Sequence, residues 1–126
     1  MDERVRIASH RDLLVWRKAM ELAAEIYRQS TKMPKVEEFR LTSQLLRAAA
    51  SIPANIAEGP ARGTRKDYAN VISIARGSLA ETETFLVLAN TVELLQAEDT
   101  AVAMSLADEV GRMLTSLHIR LRDKPR

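Results

Sequence analysis

The chain has 126 residues, a net charge of +2 and no cysteine. That length suits one domain with a core of its own, and the missing thiols exclude disulfides and thiolate metal centres. Scarce aromatics and long tracts poor in glycine and proline point to helices rather than a β-sandwich.

No apolar run reaches the roughly 20 residues that cross a bilayer, and the N-terminus lacks the apolar stretch of a secretion signal. The expectation is a soluble, cytoplasmic protein with no membrane partner. Residues 1–9 are polar and read as a flexible N-terminus. Ser9 followed by Asp12 has capping-box spacing, with Asp in place of the usual Glu.

The first helix runs on to Ser30, with Leu13, Trp16, Met20, Ala23 and Tyr27 as its apolar line. Ala19, Leu22 and Ile26 widen that line to the breadth of a core-facing bundle helix. Trp16 reads as a core or interface anchor. A turn holding Pro34 follows, and Glu37 and Glu38 open the second helix, where acids suit the helix dipole.

The second helix carries two lines. Leu41, Leu45, Ala48, Ile52 and Ile56 form the apolar one; Gln44, Arg47, Ser51, Asn55, Glu58 and Arg62 form a polar one beside it. Such spacing suits a solvated outer face or a surface that bonds to a neighbour. Short amides and hydroxyls, with small alanines between them, favour the second. Pro53 removes a donor and crowds the Ala49 carbonyl, at a cost of about 3 kcal/mol. The apolar spacing continues in phase through Ile56, which favours one helix kinked near Pro53 over two short helices meeting at Ile52. Gly59 and Pro60 weaken or end this helix.

Thr64 with Asp67 repeats the capping-box spacing and opens the longest helix, expected to reach Leu95. Tyr68, Ile72, Ala75, Leu79, Thr82, Leu86 and Ala89 are its core line. Gly77 and Ser78 in its middle lower helix propensity, and mark a close approach to the small residues of helix two. Helix four follows a cap at Asp99 or Thr100 and buries Val102, Leu106, Val110, Met113, Leu117 and Leu121. Short connections imply an antiparallel up-down four-helix bundle over residues 10–122, followed by a tail at 123–126.

No residues assemble a known chemistry in the sequence. Neither His10 nor His118 stands in a Glu-x-x-His pair, and the segment from Gly59 to Gly63 lacks a phosphate-loop lysine. No catalytic, metal or cofactor site is therefore expected, and Glu58, Glu81 and Glu83 read as partners for Arg47, Arg62 or Arg76. Charge is segregated instead. Residues 77–110 hold seven acids and no base, while bases gather as Arg62, Arg65 and Lys66 and again as Arg112, Arg120, Arg122 and Lys124. These two runs are the candidate nucleic-acid contacts, with RNA or DNA as partner. Without interleaved aromatics the contacts would be to phosphate. A protein partner docked on the acidic segment or the basic tail is the alternative. An enzyme would need a polar pocket near Asn55 and Glu58.

The runs DLLVWRKAMELAAEIY, EEFRLTSQLLRAAASIPANIAEGPAR, IARGSLAETETFL and EVGRML resemble the bundle proteins named after intervening sequences in bacterial 23S ribosomal RNA genes. The likeness spans about residues 13–121 and centres on SIPANIAEG. The family's Gln, Arg, Ser, Asn, Glu-Gly and Arg fall on Gln44, Arg47, Ser51, Asn55, Glu58, Gly59 and Arg62; its Gly-Ser-Leu and following acids fall on Gly77, Ser78, Leu79, Glu81 and Glu83. Pro60 departs from the family pattern. The resemblance implies a cytoplasmic four-helix bundle that closes into a ring-like homopentamer. More distantly it resembles the accessory protein of diversity-generating retroelements, a pentameric bundle that binds nucleic acid.

Overall fold

The structure is a computed structural model that describes residues 10–123, with side chains from Asp12 onward. The capping box at Ser9, the 1–9 segment and Lys124 therefore lie outside the described residues. Four helices carry the fold: α1 His10–Ser30, α2 Ser43–Ala61, α3 Arg65–Thr91 and α4 Ala97–Arg122. No strand occurs among the described residues.

Polar contacts at the helix ends fix the directions. Lys32, just past α1, reaches Asp99 in the first turn of α4 at 2.8 Å. Arg120 at the far end of α4 lies 3.7 Å from Asp12, near the start of α1. The Arg65 guanidinium, at the start of α3, donates to the Arg120 carbonyl at the end of α4. Thus α1 and α4 run opposite ways, as do α3 and α4. Each helix packs on two neighbours, α2 standing diagonal to α4.

The α3 line is buried throughout: Tyr68, Ile72, Ala75, Leu79, Thr82, Leu86 and Ala89 all face the core. Elsewhere the apolar lines are shifted. On α1 the core takes Val15, Ala19, Leu22, Ala23 and Ile26, while Leu13, Met20 and Tyr27 face out. The helix is apolar over more than one stripe, and period alone does not say which stripe turns inward. On α4, Ala103, Ala107 and Leu114 occupy the core centre, whereas Val102 is exposed and Leu106 and Met113 are half-buried. Small alanines let the helices approach closely there, and the larger neighbours are displaced to the edge.

The start of α2 is irregular. A 3-10 turn, Lys35–Glu37, leads into a π turn, Glu38–Thr42, with Arg40 at φ −113° and ψ −111°, and regular helix begins only at Ser43. From there α2 is unbroken through Pro53, so it is not two short helices, and it passes Pro60 to end at Ala61. The Arg62 amide closes it on the Gly59 carbonyl at 3.1 Å. Gly63, at φ +89°, supplies the left-handed turn that lets α3 start two residues later. Thr64 caps α3 by accepting from the Asp67 amide at 3.1 Å.

Helix α3 ends at Thr91, short of Leu95, because Glu93 adopts a positive φ of 64°. The cap of α4 is Gln96, not Asp99 or Thr100: Gln96 and Asp99 bond reciprocally as a capping box. Thr100 is instead buried and donates to Asn90 at 3.0 Å.

Candidate nucleic-acid interface

The antiparallel pairing of α3 with α4 brings the two basic runs to one end of the molecule. The first turn of α3 meets the last turn of α4, and between them lies a cleft of about 520 Å³. Arg65, Lys66, Asn70, Ser73, His118 and Arg122 line it, with Asp123 as its acid. Arg76 stands one turn further along α3, its Nη1 3.5 Å from His118 Nδ1.

The cations do not share one fate. Lys66, Arg76 and Arg122 are exposed, and no ion pair among the described residues engages them. Arg65 turns its guanidinium onto the carbonyls of Arg120 and Asp123, closing the C-terminus of α4 while its charge stays at the cleft. Arg62 is ion-paired with Glu58 one turn back. Arg120 reaches buried Asp12, beside the Tyr68 hydroxyl, and stays half-exposed on the groove that Arg112 also borders, away from the cleft. Arg112 pairs with Asp108 and borders a separate groove with Leu14 and Ser116. The second run expected from sequence therefore splits, and Arg122 is its described member at the cleft.

Arg76 and His118 belong to this site and were not expected there. Their spacing carried the signal: Arg65, Ala69, Ser73 and Arg76 share one stripe of α3, and His118 precedes Arg122 by one turn of α4. Burial, then Arg76 and Arg122, hold the His118 imidazole below its usual pKa. It is thus the neutral member of a cationic cluster.

The polar line of α2 divides along its length. Ser51 and Ser78 meet hydroxyl to hydroxyl at 2.8 Å, and the Asn55 amide donates to both Ser51 oxygens, at 2.8 and 2.9 Å. The Ser51–Ser78 pair stitches α2 to α3, and Asn55 holds Ser51 in place from one turn along its own helix. Gln44, Arg47 and Glu58 are exposed. Gln44 and Arg47 line a groove of about 260 Å³ that also holds Glu81 and Phe85. Glu58 pairs with Arg62 as the sequence suggests, but no ion pair joins Arg47 to Glu81 or Arg76 to Glu83 among the described residues. Glu83 faces Asp108 instead, and burial followed by that neighbour raises its pKa.

Gly77 is not a point of close approach. It is exposed, and a Cβ built there meets nothing within 4 Å. The tight contact is at Gly59, where a Cβ would stand 2.3 Å from Tyr68 Cε1. Only the aromatic ring of α3 reaching under α2 explains why glycine fits there.

A third surface runs along the outer side of α1 and α2. Trp16, Met20, Tyr27, Ala50, Pro53 and Ala54 border an apolar groove of about 420 Å³. Its α1 wall is the stripe that turned away from the core. No helix among the described residues is long and apolar enough to cross a membrane.

These features define a small all-α four-helix bundle with a cationic cleft at one end and an apolar groove along one flank. The chain belongs to the 23S rRNA-intervening sequence protein family, whose pattern matches residues 11–116. A crystal structure of a protein of unknown function from the S23 ribosomal protein family of Bacteroides thetaiotaomicron VPI-5482 has a similar fold. It is 28% identical, the match covers 86% of this chain and 98% of that one, and the TM-score is 0.80. No curated protein matches the chain.

Proposed function

We propose that the protein is a non-enzymatic, self-assembling bundle that binds nucleic acid, structured RNA above all, through the cleft between α3 and α4. The observation that carries this reading is the placing of Lys66 and Arg122 on one cleft, with Arg76 beside its His118, and no ion pair among the described residues to neutralise them. Cations on a polar concave surface suit phosphate contacts, which position a nucleic acid without reading its sequence. The family likeness supports a ring of five copies. The apolar α1–α2 groove supports a contact with another copy, which would cover that flank. One cleft per copy would bind weakly; five on one ring gain by effective concentration.

Retention of an RNA hairpin should fall steeply with salt. Lys66→Ala and Arg122→Ala should each weaken binding across unrelated sequences and reduce the salt slope by roughly one unit. Binding indifferent to salt, or unchanged in the double variant, overturns the reading. Mass in solution tests the ring separately, and a monomer at micromolar concentration removes it.

A protein-binding scaffold is the second reading, favoured by Phe39. Its side chain is 86% exposed on the irregular turn before α2, with exposed Val36 nearby. That reading expects a co-purifying polypeptide, lost in Phe39→Ser, and no RNA retention at physiological salt.

A further inference from the structure

His118 is the one group at the cleft whose charge changes near neutral pH. A guanidinium only donates, so the approach of Arg76 Nη1 to His118 Nδ1 at 3.5 Å is favourable only when that nitrogen is an unprotonated acceptor. The tautomer this selects carries its proton on Nε2, on the opposite side of the ring. The charged groups facing the imidazole are Arg65, Lys66 and Arg76 from α3, and Arg122 and Asp123 from its own helix. Burial, and then Arg76 and Arg122, disfavour a further positive charge on the ring.

We propose that His118 is a proton-coupled ligand of the phosphodiester held in this cleft, so that nucleic-acid binding and His118 protonation strengthen each other. A phosphate anion set against Lys66 and Arg122 weakens the positive field on the ring and so favours the imidazolium relative to the free protein. Protonated His118 no longer accepts from Arg76. Two donors then repel each other, and the Arg76 guanidinium swings free to bond the same anion. One proton thereby adds two phosphate contacts, that of His118 itself and that of the released arginine. The complex binds more protons than the free protein, so affinity rises as pH falls through the interval between the free and bound pKa values of His118. This inference rests on the nucleic-acid reading and names the regulation of that same cleft.

The test measures binding of a fluorescein-labelled RNA hairpin at constant ionic strength from about pH 8 to about pH 5.5. It compares the wild type with His118→Gln, which keeps a donor and an acceptor but does not titrate. A displacement of one pKa unit on binding corresponds to about a tenfold gain in wild-type affinity over that range. The His118→Gln profile should be flat by comparison. In Arg76→Ala the rise should be smaller than in the wild type, because the cation that opposes protonation of the free protein and the second phosphate contact are both gone. Nuclear magnetic resonance of the wild-type imidazoles supplies a readout free of any variant: the His118 signal should titrate at higher pH with RNA present. Parallel pH profiles for wild type and His118→Gln, or a His118 titration that RNA leaves in place, overturn the coupling while the binding reading stands. Absence of RNA binding at every pH overturns the binding reading itself.

Discussion

Gly59→Ala and Gly77→Ala make the same chemical change in two helices, and the structure assigns them opposite signs. At Gly59 the new methyl would lie 2.3 Å from Cε1 and 2.4 Å from Cδ1 of Tyr68. Carbon atoms settle at about 3.5–4.0 Å, so helix or ring must yield by more than about 1 Å. Tyr68 is fully buried among the central side chains of the core, and its ring borders a pocket of about 260 Å³ beside Trp16 and Pro60 into which part of the strain can relax. Overpacking of this kind costs about 1–3 kcal/mol, and alanine returns about 1 kcal/mol of helix propensity. The net expectation is a loss of up to about 2 kcal/mol. At Gly77 nothing lies within 4 Å, so only the propensity term remains and the variant should gain about 0.5–1 kcal/mol. Urea and thermal denaturation followed by circular dichroism, at one chain concentration, should place Gly59→Ala below Gly77→Ala by about 0.5–3 kcal/mol. Adding Tyr68→Leu to Gly59→Ala should cost less than the sum of the two single changes, because the smaller side chain vacates the contested space. Gly59→Ala as stable as Gly77→Ala would refute the account of α2 resting on the Tyr68 ring.

Glu93 holds a positive φ of 64° at the end of α3, so Glu93→Gly should raise stability by about 0.5–1 kcal/mol in the same unfolding assay. Glu83, with its pKa raised by burial and then by Asp108, binds its proton more tightly folded than unfolded. Its contribution is therefore present below the unfolded pKa and lost as pH rises through the folded one; Glu83→Gln should match the wild type in acid and melt higher at neutral pH. Ser51→Ala removes the hydroxyl partner of buried Ser78 and should cost about 1 kcal/mol or more. A double-mutant cycle with Ser78→Ala should show coupling above about 0.5 kcal/mol; additive losses would mean the 2.8 Å pair does not bind α2 to α3.

Helix α3 was legible because its apolar residues form a single stripe, and a single stripe has one way to face inward. Helix α1 was not, since Leu13, Met20 and Tyr27 repeat as regularly as Val15, Leu22 and Ile26, and only the neighbours decide which set is enclosed. The two glycines show the same limit in another form. A glycine in a helix signals that something comes close or that nothing does, and the choice between Gly59 and Gly77 lies in a ring contributed by α3. Basic residues were legible as runs, but their availability was not. Glu58, Asp108 and Asp12 take up Arg62, Arg112 and Arg120, and these partnerships depend on rotamers and helix pairing as well as on order in the chain.

The three surfaces also stand in a definite relation. Helix α2 borders both the apolar groove shared with α1 and the polar groove shared with α3, whereas the cationic cleft lies between α3 and α4, and α4 is diagonal to α2. A closed ring of identical subunits needs two different patches on each copy, one for each neighbour. The two flanks of α2 are such a pair, one apolar with exposed Ala50, Ala54 and Ala57, the other carrying exposed Gln44, Arg47 and Glu81. In the proposed ring, contacts made through these flanks would leave every cleft uncovered. In that ring Gln44 and Arg47 would serve as hydrogen-bonding groups toward the next copy. The polar line and the cationic cleft would accordingly separate by experiment: Arg47→Ala should lower the mass in solution, while Lys66→Ala should leave the mass unchanged and weaken RNA retention.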